Sequence, residues 1–269
     1  MSRTLDYEVM PELPEVEKGA RMLRAASAGR RIAVVRVLHP VYARSLPAAD
    51  VDRLTGRTIV DVTRRGKHQL ATLDDGSVLE IHFGMTGEWI VGSASDPVDR
   101  FARVILDFID GSRITVADSR ALGAARLHQP GADVLPDLGP EPLSPSFSAD
   151  SLGDVLRRRR GPIKVALLDQ GVVAGLGNIY AAEALWLARI SPRARASSLS
   201  AARRTRLVRA IRDVLRRAPA ARYTDRENGA QHWRVYDRAG KPCRRCGTRI
   251  ARIIQGARST YYCPKCQRA

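Results

Sequence analysis

The chain has 269 residues, enough for two or three modest domains with cores of their own. Lysine and arginine number 45 against 28 aspartates and glutamates, a formal charge of +17. A charge of that size favours a polyanionic partner, nucleic acid ahead of an anionic membrane, and arginine, the commoner cation here, suits bidentate phosphate contacts. No uninterrupted apolar run approaches the ~18 residues of a membrane span. Residues 1–9 lack the basic and apolar regions of a secretion signal, so the expected protein is soluble and cytoplasmic.

Taken in order, the first informative stretch is Met10-Pro11-Glu12-Leu13-Pro14-Glu15-Val16-Glu17. Methionine before proline is a candidate processed N-terminus. Removal of the methionine would leave Pro11 a secondary amine titrating near pH ~8, partly neutral and nucleophilic, and able to form an iminium directly. Glu12 beside it could donate a proton or supply a counter-charge. The same residues also read as a plain lead-in to a helix, which Val16, Ala20, Leu23 and Ala26 extend to about Ser27, before Gly29. Strand patterns follow over residues 31–39, closed by Pro40, and over 58–63. After the basic turn Arg64-Arg65-Gly66-Lys67 they continue at 69–73, 78–83, 88–91, 102–109 and 112–117, with Asp75-Gly76 and Asp110-Gly111 as turns. Short strands at this spacing predict a β-sandwich or barrel with the first helix packed on it.

Residues 131–147 are rich in proline, glycine and serine and read as a linker. Beyond them the pattern is helical to about Ala221. Ser148 or Asp150 caps one helix, Pro162 begins another, and Ser200 caps a third with Leu207, Ile211 and Leu215 on one face. The run from Gly171 through Gly175 and Gly177 to Asn178 is a glycine-rich turn, with Asn178 placed to cap the helix Tyr180–Ala188; a helix start of this kind cradles phosphate. All four cysteines lie at the end, as Cys243-Arg-Arg-Cys246 and Cys263-Pro-Lys-Cys266. In a reducing compartment this spacing reads as one structural zinc ion, held by four thiolates with no position left for substrate.

The opening octapeptide closely resembles the N-terminus of the bacterial formamidopyrimidine-DNA glycosylases, the Fpg/Nei family, and Leu13 resembles the formamidopyrimidine branch. The similarity runs along nearly the whole chain from Met10. It implies a multidomain α+β fold: an N-terminal β-sandwich with a packed helix, a helix–two-turn–helix domain and a C-terminal zinc ribbon. The expected boundaries are an extension at 1–9 that need not belong to the native protein, a catalytic domain at 10–130, the linker at 131–147, the helical DNA-binding domain at 148–230 and the ribbon at 231–269.

The resemblance also implies a DNA glycosylase and abasic-site lyase of base excision repair, acting as a monomer on damaged double-stranded DNA. Oxidised purines would be its substrates, and no nucleotide or redox cofactor would be needed. Pro11 would be the nucleophile, Glu12 the proton-transfer group, and Lys67 a phosphate contact that supports the lyase step. Lys164, Asn178 and Arg258 would grip the DNA backbone, Arg258 from the ribbon hairpin. Met85, in His82-Phe-Gly-Met85-Thr-Gly87, and Arg120 would fill the gap left by a flipped nucleotide. The segment Asp118-Ser119-Arg120-Ala121-Leu122-Gly123 departs from the family's usual Asp-Pro-Arg-Arg-Phe-Gly. Leu122 can wedge but not stack. The 222–233 segment is also shorter than the family's lesion-covering loop. Two alternatives follow: the same chemistry on oxidised pyrimidines, or a non-catalytic damaged-DNA-binding protein if residues 1–9 remain attached and make Pro11 an amide.

Overall fold

The computed structural model describes residues 10–218 and 233–268; the extension at 1–9 and residues 222–232 of the short segment lie outside that range. The fold is multidomain α+β, and the chain divides between Pro136 and Asp137 into two compact units.

In the first unit, helix α1 (Leu13–Ser27) begins at Glu12 with a reciprocal capping box. The Glu12 carboxylate accepts from the Glu15 backbone, and the Glu15 carboxylate accepts from the Glu12 backbone at 3.0 Å. Pro14 fits the first turn, where its missing N–H leaves no gap. Val16, Ala20 and Leu23 form the buried face. Strand β1 (Ile32–Val37) follows. Pro40 does end it, but also opens helix α2 (Pro40–Ser45), which the sequence reading did not anticipate. His39 caps that helix, with Nδ1 accepting from the Val41 N–H at 3.2 Å. A second short helix, α3 (Ala48–Leu54), leads into β2 (Ile59–Arg65), β3 (His68–Leu73), β4 (Val78–His82), β5 (Gly87–Ser93), β6 (Ala102–Phe108), β7 (Ser112–Asp118) and β8 (Ala124–His128).

Two four-stranded sheets form, in the orders β1-β6-β7-β5 and β2-β3-β4-β8, and every pairing is antiparallel. Alternate residues of both sheets meet in one core: Val104, Leu106, Ile114 and Val116 from the first, Val62, Ala71, Leu79 and Ile81 from the second, with Leu23 of α1 joining them. This is the expected sandwich with a packed helix. β8 escaped prediction because its inward residues are Ala125 and Leu127, and its other positions hold alanine, arginine and histidine, which carry little strand propensity.

The second unit holds α4 (Ala149–Leu156), capped by Ser148, α5 (Ile163–Leu168), α6 (Asn178–Leu187) and α7 (Ala201–Arg216), capped by Ser200, then the hairpin β9 (Ala251–Gln255) and β10 (Arg258–Tyr262). Helix α6 is apolar apart from Asn178, Tyr180 and Glu183 and is buried along its length except for its last residue, the pattern of a helix enclosed by its neighbours. Among the described residues no helix is long and apolar enough to cross a membrane.

Candidate active site and nucleic-acid interface

At the start of α1, Glu12 is buried as the helix cap while Pro11 and Met10 are half-buried. The β2–β3 hairpin arrives beside them. Arg65 pairs with His68, so Gly66 and Lys67 are its two loop residues, and Gly66 at φ +58° gives the glycine-first pattern of a type II′ turn. That turn aims Lys67 inward, and its Nζ lies 3.6 Å from the Met10 sulfur. Lys67 thus reaches the residue that precedes Pro11 and Glu12, far from it in sequence.

A second gathering lies on the β4–β5 and β7–β8 loops. Arg120 Nη1 is 3.4 Å from the Met85 sulfur, and Leu122, half exposed, follows two residues later. Ala121 takes a left-handed conformation at φ +50° between them. Gly84 fits under this loop because a side chain there would collide with the Leu122 carbonyl. Met85, Arg120 and Leu122 therefore form one cluster with an exposed leucine.

Sequence reasoning missed a polar cluster on the outer face of the second sheet. Glu80 of β4 is buried and bonded to His68 Nδ1 at 2.7 Å and His128 Nε2 at 2.8 Å, with the His82 ring 4.9 Å from that of His68. Burial raises the Glu80 carboxyl, but the hydrogen bonds from His68 and His128 outweigh it and bring the pKa down to about 2. Burial lowers His82, and the charges of His68 and Lys67 lower it further, to about 4. A carboxylate alone between Leu79 and Ile81 was the signal to look for such partners.

In the second unit Lys164 is wholly enclosed. Its Nζ donates to Asn178 Oδ1 at 2.5 Å, Thr260 Oγ1 at 2.8 Å and the Ser259 carbonyl at 3.4 Å. Asn178 is not the cap of α6: Gly177 is, and Asn178 is the first helical residue. Its side-chain amide donates to the Ser259 carbonyl at 3.1 Å, so helix start and ribbon strand are stitched together. Arg258 stands exposed at the head of β10, presented by a two-residue turn in which Gly256 and Ala257 both have positive φ. Glu183, the lone carboxylate of α6, was also missed. It accepts from the backbone N–H groups of Arg234, Val235 and Tyr236 at 2.8–3.0 Å. Burial pushes its carboxyl up, against the pull of those three amides.

The four cysteine sulfurs lie within 4.8 Å of one another, with Cys243 and Cys266 at 4.0 Å and Cys246 and Cys263 at 3.5 Å. Four thiolates around tetrahedral zinc at ~2.3 Å stand ~3.8 Å apart, so the donor set fits. Each Cys-x-x-Cys turn directs an amide at a sulfur, from Arg245 to Cys243 at 3.5 Å and from Cys266 to Cys263 at 3.4 Å, and Trp186 Nε1 donates to Cys243 at 3.4 Å. The site takes one structural zinc ion, with all four positions supplied by the chain.

The model of the formamidopyrimidine-DNA glycosylase N-terminal domain matches residues 10–125, that of the H2TH domain of the same enzymes matches 138–226, and that of the zinc finger found in FPG and IleRS matches 240–269. The chain belongs to the formamidopyrimidine-DNA glycosylase family. Formamidopyrimidine-DNA glycosylases of Rhizorhabdus wittichii and Cereibacter sphaeroides are 40% and 43% identical to it, each over 96% of this chain and 100% of the relative. Among solved structures, Lactococcus lactis formamidopyrimidine-DNA glycosylase bound to DNA containing an abasic site superposes with a TM-score of 0.89 at 31% identity. MutM in complex with DNA containing carbocyclic 8-oxo-G superposes at 0.88 and 31%. Both cover 96% of this chain and 100% of their own.

Proposed function

We propose that this DNA glycosylase of base excision repair excises oxidised purines, formamidopyrimidines and 8-oxoguanine, and then cleaves the strand as a lyase, with Pro11 as nucleophile. The chemistry requires an acting form that begins at Pro11. Its secondary amine attacks C1′ of the damaged nucleotide; the C1′–N bond breaks and the base leaves with a proton. Glu12 assists by proton transfer at the sugar. The resulting iminium acidifies the 2′ hydrogen, so its loss expels the 3′ phosphate and a second elimination expels the 5′ phosphate, after which hydrolysis frees Pro11. Lys67 holds phosphate beside the reacting sugar. Met85, Arg120 and Leu122 occupy the gap in the duplex, and Arg258 and Asn178 hold the DNA backbone. Lys164, having no exposed surface, serves by fixing Asn178 and the Ser259–Thr260 backbone next to Arg258. Zinc orders the hairpin that carries Arg258.

The observation that supports this reading is the approach of Lys67 Nζ to the sulfur of Met10, the residue that directly precedes Pro11. The substrate class draws support from relatives whose solved complexes hold abasic, formamidopyrimidine and 8-oxo-G DNA. The enzyme is proposed to act as a monomer in the cytoplasm on nucleoid DNA.

Borohydride trapping on a duplex with an abasic site tests the chemistry. Wild type forms a covalent product, and replacing Pro11 abolishes it while duplex binding persists. Trapping by Pro11→Gly at the wild-type level would show that proline is not required.

A further inference from the structure

Asp118 ends β7 with no exposed surface, and its carboxylate collects four neutral donors from three directions. Oδ2 accepts from the Tyr42 hydroxyl of α2 at 3.0 Å and from the Gly123 N–H at 2.9 Å. Oδ1 accepts from the Thr86 hydroxyl and from the Arg120 N–H at 3.3 Å. Its backbone carbonyl accepts from Arg103 Nε at 2.7 Å. Thr86 follows Met85 directly. Arg120 and Gly123 bracket Leu122. The Thr86 hydroxyl also accepts from the Arg120 N–H at 3.2 Å, so the two loops share a donor at this point.

We propose that Asp118 is the positioning residue of the gap-filling cluster: one carboxylate sets the Met85 loop against the Arg120–Leu122 loop, and so sets which base opposite the lesion is accepted. This rests on the proposed function of those three residues. An ionised carboxylate offers about four acceptor sites, and here all four are used, two for each oxygen. The arrangement tolerates no carboxamide. An asparagine must turn its NH₂ either toward Tyr42 and the Gly123 N–H or toward Thr86 and the Arg120 N–H. The hydroxyls can rotate and accept, but an amide N–H cannot, so either the Gly123 N–H loses its acceptor or the Arg120 N–H is left with Thr86 alone and the carboxylate no longer holds that loop directly. Close packing removes slack elsewhere, because a side chain at Gly123 would meet the Tyr42 hydroxyl and the His82 carbonyl. Tyr42 stays a donor across the working range, since burial and then the Asp118 charge push its phenol upward. Asp118 touches none of the reacting atoms assigned to Pro11.

The test compares wild type with Asp118→Asn on duplexes carrying one formamidopyrimidine lesion opposite cytosine or adenine, and on an abasic site in single-stranded DNA, which has no opposing base. The expected result is a fall of about 10-fold or more in the cytosine-to-adenine ratio of kcat/KM, while borohydride trapping on the single strand changes by less than about 3-fold. A ratio unchanged from wild type overturns the proposal, as does a parallel fall on both substrates, which would mark a merely structural role. If Asp118→Asn does not fold, Thr86→Val and Tyr42→Phe each delete one donor. Both should lower the ratio by a smaller factor, and an unchanged ratio in both overturns the proposal. A wild type that traps on neither DNA removes the Pro11 chemistry, and this inference with it.

Discussion

Lys164 has no exposed surface, and its Nζ is tolerated there because Asn178, Thr260 and Ser259 all turn oxygens toward it. Lys164→Met keeps the volume but removes the donor to Asn178 Oδ1 and Thr260 Oγ1 in a dry site, at about 1–3 kcal/mol, while the Ser259 carbonyl keeps the Asn178 amide. Thermal unfolding of the full chain should show a loss of several degrees, and duplex binding should weaken with it. Full stability in the variant would mean that the enclosed Nζ fixes nothing. The histidines make a second prediction. His82 is lowered to about 4 in the folded protein from an ordinary ~6.5, so folding favours its neutral form. That stability is complete above about pH 6.5 and is lost as pH falls toward 4, by at most about 3 kcal/mol. Glu80, lowered to about 2, adds a loss at still lower pH, as it becomes protonated. Urea unfolding between pH 7 and pH 4 should therefore show declining stability that His82→Phe flattens; an equal decline in the variant would exclude His82. The cysteines were plain in the sequence, and Pro11, Glu12 and Lys67 stood out as candidates, because each sits in a motif. The partners of Glu80, Glu183 and Asp118 were not legible, because burial and hydrogen bonding between distant residues leave no local pattern beyond a lone carboxylate in an apolar run.

At the level of elements, the helix starts were readable where a cap residue announced them. Ser148 and Ser200 do cap α4 and α7. Asn178 misled because its side chain turns to Lys164 and the ribbon, leaving the cap to Gly177. Pro40 misled differently: the residue that stops a strand is also favoured in the first turn of a helix. The ribbon shows an element that depends on a ligand. Its two strands of five residues make a hairpin too small to hold alone, and the four thiolates around zinc close it. Removing zinc with a chelator should expose four reactive thiols and weaken duplex binding by about 10-fold or more, with Arg258 no longer aimed. Metal-free protein that binds duplex with unchanged affinity would separate the ribbon from DNA recognition.

For the whole molecule, the charge of +17 sets the physics of the encounter with DNA. Two cationic phosphate contacts, Lys67 and Arg258, give a slope of about −2 in log K against log salt, and Arg258→Ala should reduce its magnitude by about 1 while weakening all sequences alike. A slope near zero would leave the charge without a role in binding. Peptide mass mapping of the borohydride-reduced complex with an abasic duplex identifies the nucleophile itself. The expected product carries a deoxyribose remnant on the amine of an N-terminal peptide beginning at Pro11. A remnant on Lys67 or another lysine, or a Pro11 still preceded by Met10 in the trapped protein, would contradict it.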